Sequence, residues 1–175
     1  MTKRLVLAAL AGVGLLLAGA SFLPRQPLLV WNFTASAPVG LYRALPRYAL
    51  EQEGIRGVWV AVAPGAAARD LLARLGILEP GRLLVKRVAA AAGDEVCRKG
   101  FVVTINGAEW ATARATTSTG MPLPAWSGCR TLKDGEVFLL GQTDGSFDGR
   151  YFGVTRLGEV VAPLELLIEI SRPAT

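Results

Sequence analysis

The chain has no histidine among its 175 residues. This absence excludes a Ser-His-Asp triad, a Cys-His pair, a zincin helix and any metal centre that needs imidazole ligands. The glycines form neither a G-x-G-x-x-G nor a phosphate-binding loop, and no serine lies in a G-x-S-x-G or S-x-x-K motif. A hydrolase built on this sequence therefore needs a base other than histidine.

Lysine is also scarce, since only four of the 19 basic residues are lysines: Lys3, Lys86, Lys99 and Lys133. Where the chain needs positive charge it uses arginine, so a lysine inside an apolar segment is an exception. The net charge of +5 is not concentrated in a basic run. The sequence therefore gives no support to nucleic-acid binding.

Cysteine occurs only twice, as Cys97 and Cys129. Two cysteines in an oxidising compartment most simply form one disulfide, and we predict that bond here. Two buried free thiols are the alternative.

Residues 5–23 form an apolar run without any charge, long enough for a helix to cross a hydrocarbon core of about 30 Å. Because Lys3 and Arg4 precede this run, the positive-inside rule predicts a cytoplasmic N-terminus. We therefore predict an uncleaved membrane anchor over residues 1–23 and an extracytoplasmic, β-rich catalytic domain over residues 24–175. A cleaved signal peptide is the alternative, because Ala18 to Ala20 resembles a small-residue cleavage site.

The rest of the chain predicts a mainly β fold. Residues 57–64, 82–90, 95–98, 101–110, 135–141 and 165–171 have strand patterns, and the Asn106-Gly107 pair is typical of a two-residue hairpin turn. Residues 66–78 predict one short amphipathic helix that ends near Gly76. Residues 24–46 predict extended or looping chain, in which Trp31 and Phe33 lie either at a membrane interface or in the core.

Lys86 lies in the apolar run RLLVKRVAA of residues 82–90. Serine with lysine as base is a known solution to peptide hydrolysis, but an unperturbed lysine is only about one part in a thousand neutral near pH 7.4. Burial among leucine and valine side chains would lower its pKa, and arginine could not replace it because arginine does not deprotonate in proteins. The alternative is that Lys86 points outward from an edge strand while Arg87 faces inward to a carboxylate.

Three segments occur in an order that carries a family resemblance. Ser36-Ala37-Pro38 lies in SAPVGLYR, Lys86-Arg87-Val88 leads to Gly93-Asp94, and GSFDGRYFG places Ser146, Asp148 and Arg150 in an S-x-D-x-R pattern. Together they resemble bacterial type I signal peptidases of the Ser/Lys class, in particular the conjugative-transfer branch that processes pilin precursors. Ala92 stands where that family usually has proline, and Gly141-Gln142-Thr143 stands where it has G-D-N.

The resemblance implies a signal-peptidase-like β-domain and a role for each matching residue. Ser36 would be the nucleophile and Lys86 the general base. The Ser36 backbone N–H and the Thr34 hydroxyl would form the oxyanion hole. Ser146 would orient the lysine amine, and Asp148 and Arg150 would pair and brace that wall.

The expected activity is that of a serine endopeptidase in the bacterial inner membrane, single-pass, with its catalytic domain in the periplasm. Its substrate would be an exported precursor, specifically a pilin precursor, and conjugation or type IV secretion components are possible partners; no metal or organic cofactor is implied. Cleavage of a pilin precursor with or without ring closure and general signal peptide removal are two enzymatic alternatives. A non-catalytic structural component of a conjugation or secretion apparatus is an alternative of another class.

Overall fold

The computed structural model describes residues 29–50, 54–76, 79 and 81–170. The predicted anchor over residues 1–23 lies outside these residues, as does the start of the predicted catalytic domain at residue 24. Within the described ranges, no helix combines the length and the apolar character needed to cross a bilayer.

The described chain is mainly β, which confirms the predicted fold class. The strands are β1 (Leu29–Asn32), β2 (Gly40–Ala44), β3 (Trp59–Val62), β4 (Leu84–Ala90), β5 (Glu95–Lys99), β6 (Val102–Ile105), β7 (Ala108–Thr112), β8 (Gly128–Thr131), β9 (Glu136–Leu140), β10 (Thr155–Arg156) and β11 (Val160–Glu169). The α-helices are α1 (Ala66–Arg74) and α2 (Gly149–Phe152), and 3-10 turns cover Arg47–Leu50 and Leu157–Glu159. The prediction of a single short helix therefore missed α2 and both 3-10 turns.

Seven strands form the larger sheet, in the order β1-β2-β11-β3-β4-β9-β10. Every pairing in it is antiparallel. β4 lies between β3 and β9, so it is a central strand and not an edge. The alternative in which Lys86 points outward from an edge strand is therefore wrong. Arg87 is the exposed residue of this strand, and its Nε donates to the Gly57 carbonyl.

The smaller sheet has the order β7-β6-β5-β8. Asn106 and Gly107 connect β6 to β7 with φ values of 50° and 81°, which are typical of a type I′ turn and confirm the predicted hairpin. Cys97 and Cys129 face each other across β5 and β8 and form a disulfide. The alternative of two free thiols is therefore wrong.

Two predictions for residues 24–46 need correction. Part of this segment forms the β1–β2 hairpin, whose strands pair from Leu29↔Arg43 to Asn32↔Gly40. Trp31 and Phe33 are 44% and 60% exposed, so the alternative that they are core aromatics is wrong. Their rings lie 5.8 Å apart, between centroids, at the end of the hairpin that carries Ser36.

The main core lies on the face of β4 that carries Lys86. The buried side chains that pack there include Val60, Val62, Leu72, Leu84, Val88, Leu139, Phe147, Tyr151 and Val160. Leu71 and Leu75 of the α1 region cover this core. The same apolar cluster that stabilises the larger sheet therefore surrounds the lysine.

Candidate active site

The connection between β1 and β2 presents Ser36. Ser36 is half-buried, and its Oγ lies 2.9 Å from the Thr34 Oγ1. Its carbonyl accepts a hydrogen bond of 2.8 Å from the Gln142 N–H, which ties the loop to the segment after β9. Among the described residues, none accepts a hydrogen bond from the Ser36 main-chain N–H. This N–H is therefore available to a substrate oxygen.

β4 carries Lys86 to the same place from within the core. Lys86 is 3% exposed, with Leu84 and Val88 on the same face of its strand and Val60 directly opposite on β3. This burial lowers its pKa from the ordinary 10.5 to about 8, although the charge of Asp148 opposes the shift. The lysine therefore has a substantial neutral fraction at physiological pH, although most of it stays charged.

The segment after β9 supplies a buried ion pair. Asp148 is fully buried and Arg150 is 2% exposed. The Arg150 Nε donates to Asp148 Oδ1 at 2.9 Å and its Nη2 donates to Oδ2 at 2.8 Å, which is a bidentate pair. Asp148 also caps α2 by accepting from the Arg150 main-chain N–H. The pair is thus a rigid corner beside Lys86.

Gly141 joins this corner to the loop of residues 32–39, named the nucleophile loop after the predicted role of Ser36. Its N–H donates to Asp148 Oδ2 at 2.7 Å, and its carbonyl accepts from Arg150. A Cβ at Gly141 would lie 2.3 Å from the Ser146 Oγ and 3.0 Å from the Ser36 carbonyl oxygen. Only glycine fits this junction without displacing one of the two serines.

Together these elements line one cavity of about 320 Å³. Ser36, Lys86, Thr34 and Ser146 all contribute to its wall, so the structure brings these four predicted site residues together. Leu83, Leu84, Val85, Phe147, Trp31 and Phe33 provide an apolar lining. The wall of this groove is therefore mainly apolar, with the polar groups of Ser36 and Lys86 set into it.

Two hydrogen bonds that the resemblance implies are not formed in this arrangement. Among the described residues, none forms a hydrogen bond with the Lys86 Nζ. Ser36 is therefore not bonded to the lysine either. The Ser146 Oγ lies 3.1 Å from the Thr143 Oγ1 and is not bonded to the lysine amine. The roles of Ser36, Thr34, Lys86 and Ser146 therefore stay predictions.

Asp94, the last residue of the Lys86 segment, supports a turn away from the groove. Its carboxylate accepts from the Ala91 N–H, the Arg56 Nε and the Asn106 Nδ2. Burial alone would raise its pKa, but these hydrogen bonds outweigh burial and lower the pKa to about 2. Asp94 therefore fixes the β4–β5 turn against the β6–β7 hairpin.

One group of potential metal ligands lies outside the groove, where Glu95, Cys97 and Cys129 come close together. Both sulfurs belong to the disulfide, so they are not free to bind a metal.

Sequence reasoning missed Asn32, the last residue of β1. It is buried, with 5% exposure, and its carboxamide makes hydrogen bonds to three other residues of the nucleophile loop. The available signal was the Asn-x-Thr spacing of Asn32 and Thr34, because asparagine commonly accepts from the backbone N–H two residues ahead in an Asx-turn.

Comparisons with known proteins identify the family of the chain. The family described as "Signal peptidase, peptidase S26" matches residues 2–168. The chain is 36% identical over 164 residues to a plasmid transfer protein TraF of Escherichia coli, with 86% of each chain covered. A signal peptidase I from Enterococcus faecalis V583 aligns in structure with a TM-score of 0.37 and 20% identity, covering 65% of this chain and 98% of that chain. On its sequence match over nearly the whole length, the chain belongs to the peptidase S26 family of signal peptidases.

Proposed function

We propose that this protein is a membrane-anchored serine endopeptidase that uses Ser36 as nucleophile and Lys86 as general base to process exported precursors. The observation that carries the proposal is a buried lysine with a pKa of about 8 that lines the same groove as a half-buried serine. At pH 7.4 roughly one fifth of such a lysine is neutral, compared with about one part in a thousand for an unperturbed lysine.

The first chemical step follows from these two side chains. Neutral Lys86 Nζ takes the proton from the Ser36 Oγ as this oxygen attacks the scissile carbonyl carbon, which gives an oxyanion on a tetrahedral intermediate. The free Ser36 N–H, together with the Thr34 hydroxyl, would stabilise that oxyanion. Lys86 then returns the proton to the leaving amine, and an acyl-enzyme on Ser36 remains.

The acyl-enzyme then needs a second nucleophile. Water, deprotonated by Lys86, would release a carboxylic acid, whereas the substrate's own N-terminal amine would release a ring. Both outcomes share the same groove and the same acyl-enzyme. Only the product distinguishes them.

The absence of a direct Ser36–Lys86 hydrogen bond is compatible with this mechanism, since catalytic hydrogen bonds are often long without substrate and tighten in the complex. The Asp148–Arg150 pair holds Gly141 and, through Gln142, the Ser36 carbonyl. We assign it a bracing role. Ser146 lines the same cavity as Lys86, and its predicted contact with the amine would require its hydroxyl to turn away from Thr143.

Three features support an extracytoplasmic location next to a bilayer. Residues 5–23 are apolar and follow Lys3 and Arg4, and the Cys97–Cys129 disulfide is typical of an oxidising compartment. The exposed Trp31 and Phe33 lie beside the groove, where aromatic side chains suit a membrane interface. We therefore place the catalytic domain in the periplasm, on the outer face of the inner membrane.

The relative in Escherichia coli is a plasmid transfer protein, which favours a substrate from a conjugation system. We propose a pilin precursor as this substrate. General removal of signal peptides is the second enzymatic candidate, and the description of the matching family favours it.

The test is intact-mass analysis of a candidate pilin precursor co-expressed with the natural protein, with Lys86→Arg, or with the exposed control Lys133→Arg. We expect the natural protein and the Lys133 variant to trim the precursor and the Lys86 variant to leave it intact, because arginine cannot accept the proton. A product lighter by one further water indicates ring closure. Equal trimming by all three proteins would exclude the Ser/Lys mechanism.

If no protein trims the pilin precursor, the same comparison with a general exported precursor decides between the two enzymatic candidates. Failure on both substrates would favour the structural, non-catalytic alternative.

A further inference from the structure

The Asn32 carboxamide lies inside the nucleophile loop and contacts both of its sides. Its Nδ2 lies 2.8 Å from the Thr34 carbonyl oxygen, 3.1 Å from that of Ala37 and 3.0 Å from that of Pro38. Its Oδ1 lies 3.2 Å from the Thr34 N and 3.0 Å from the Thr34 Oγ1. One side chain therefore bonds to the residues on either side of Ser36.

Elementary hydrogen-bond chemistry fixes the orientation of this amide. Carbonyl oxygens only accept, so the group that faces three of them must be the NH₂ of Asn32. The other end is then the oxygen, which accepts from the Thr34 N–H and from the Thr34 hydroxyl.

The same reasoning orders the two hydroxyl groups. Thr34 has one hydroxyl proton. Because an amide oxygen cannot donate, the Thr34 hydroxyl uses this proton to donate a hydrogen bond to Asn32 Oδ1. In the contact of 2.9 Å between the Thr34 and Ser36 hydroxyls, the Thr34 oxygen is then the acceptor. Ser36 donates its proton to Thr34.

We propose that Asn32 is the positioning residue of the nucleophile loop, fixing the main chain around Ser36 and ordering the chain of hydroxyl protons from Ser36 to Thr34 to Asn32. This inference rests on the proposed role of Ser36 as nucleophile. Asn32 lies in the wall of the groove but is only 5% exposed, and its carboxamide faces the loop backbone. It acts through Thr34 and through the loop backbone.

The other contacts of the loop show why Asn32 matters. The Ser36 carbonyl accepts from the Gln142 N–H and the Val39 carbonyl accepts from the Ile170 N–H, so both ends of the loop's outer side are held by main chain. The Thr34 and Ala37 carbonyls accept from Asn32. Loss of the carboxamide therefore leaves the loop attached at the Ser36 and Val39 carbonyls but removes the bonds that hold Thr34 and Ala37 around the Ser36 side chain.

The ordered hydroxyls also define a resting state. Before reaction the Ser36 proton points along the loop to Thr34 and not to Lys86. In the reaction this proton moves from the Ser36 Oγ to the Lys86 Nζ, and the Thr34 hydroxyl becomes an oxyanion donor only when it turns away from Asn32.

The test uses the full chain with Asn32→Ala, Asn32→Asp and a matched control, Asn106→Ala. Asn106 also holds a turn with its amide, by accepting from the Glu95 N–H and donating to Asp94, but it lies outside the groove lining. We expect both Asn32 variants to lower kcat for precursor cleavage by about 10- to 100-fold with KM changed less than about threefold, because misplaced reacting groups lose rate before affinity. Asn106→Ala should lose thermal stability without that fall in kcat.

A second readout does not depend on activity. Amide hydrogen exchange at Thr34, resolved by NMR, should be at least about tenfold faster in Asn32→Ala than in the natural protein, and unchanged in Asn106→Ala. If the natural protein cleaves no precursor, the proposed function fails, and this exchange measurement still decides whether Asn32 holds the loop.

A double-mutant cycle with Thr34→Val tests the ordered hydroxyls. If Asn32 acts through the Thr34 hydroxyl, the fold-loss in kcat caused by Asn32→Ala is smaller in the Thr34→Val background than in the natural one. An equal fold-loss in both backgrounds overturns the hydroxyl order. Unchanged Thr34 exchange together with unchanged kcat in the Asn32 variants overturns the positioning role itself.

Discussion

Each wall of the groove carries a threonine and a serine whose hydroxyl oxygens lie within hydrogen-bonding distance. The pairs are Thr34 and Ser36 at 2.9 Å and Thr143 and Ser146 at 3.1 Å. The nucleophile wall, formed by residues 32–39, is partly exposed and held by a neutral amide. The base wall, formed by β4 and residues 141–150, contains three buried charged groups: Lys86, Asp148 and Arg150.

The difference follows from the chemistry that the proposed mechanism requires of each wall. A nucleophile must reach a substrate carbonyl, so Ser36 needs an open loop held without bulk or charge. A lysine base must lose its proton near neutral pH, so Lys86 needs a dry environment, and the ion pair beside it must be internally balanced. The two reactive side chains thus lie in different surroundings: Ser36 in an accessible wall and Lys86 in a dehydrated one.

The largest effect is expected from removing one reactive group from each wall. Ser36→Ala and Lys86→Met should each lower precursor processing by about 10²- to 10⁴-fold or more, because each loses an essential group. Processing rates for both, with Lys99→Met as the control for loss of an exposed lysine, check this prediction. A Lys86→Met protein that retains more than about a tenth of the natural rate would contradict the assignment of the base.

The second-largest effect is expected from breaking the Asp148–Arg150 ion pair of the base wall, and it concerns the stability of the fold. Asp148→Asn leaves the Arg150 guanidinium buried with half of its carboxylate contact, and we expect a loss of about 3 to 5 kcal/mol in the free energy of unfolding. The control is Glu165→Gln, which breaks the exposed ion pair with Arg43 and should cost less than about 1 kcal/mol. Equal costs in urea denaturation would mean that burial does not distinguish the two pairs.

The third prediction is a gain in stability from Lys86→Met. Because burial holds the pKa of Lys86 at about 8, below its ordinary 10.5, the unfolded chain binds this proton more tightly than the folded one. The lysine therefore costs the fold about 3 kcal/mol below pH 8, and that cost disappears as pH rises to 10.5.

The measurement is the unfolding free energy of both proteins across this pH range. The free energy of unfolding of Lys86→Met should exceed that of the natural protein, and the difference should be largest below pH 8. The difference should disappear as the pH approaches 10.5. A constant gap would show that the variant changes packing and not ionisation.

The smallest effect is expected from a single contact of the nucleophile wall. The Tyr42 hydroxyl donates to the Pro38 carbonyl at 2.7 Å, and this carbonyl also accepts from Asn32. Tyr42→Phe should therefore cost only about 1 kcal/mol in stability and change kcat less than about threefold. A fall in kcat as large as that of Asn32→Ala would show that Tyr42, and not the Asn32 amide, holds the loop in position.

The sequence made the base wall easier to predict than the nucleophile wall. A lysine in an apolar run has few structural explanations, and β4 is buried throughout except at Arg87. The Asn106-Gly107 turn and the cysteine pair were also predictable, because each depends on local chemistry or simple counting.

Long-range pairing hid the rest. β11 begins at Val160, five residues before the predicted strand, and its register against β3 shifts between Val160 and Ala162. The prolines around β1 obscured it in the sequence, and β1 pairs with β2, which in turn pairs with β11. The contacts of Asn32 depend on this hairpin, so neighbouring residues alone did not reveal them.

The most direct test of the central claim is an NMR titration of the protein with ¹³C-labelled lysine side chains. The chain has only four lysines, and the signal of Lys86 is the one that disappears in Lys86→Met. We expect that signal to titrate with a pKa of about 8. A midpoint at the ordinary value of 10.5 would contradict the claim that this protein makes its base by burying a lysine.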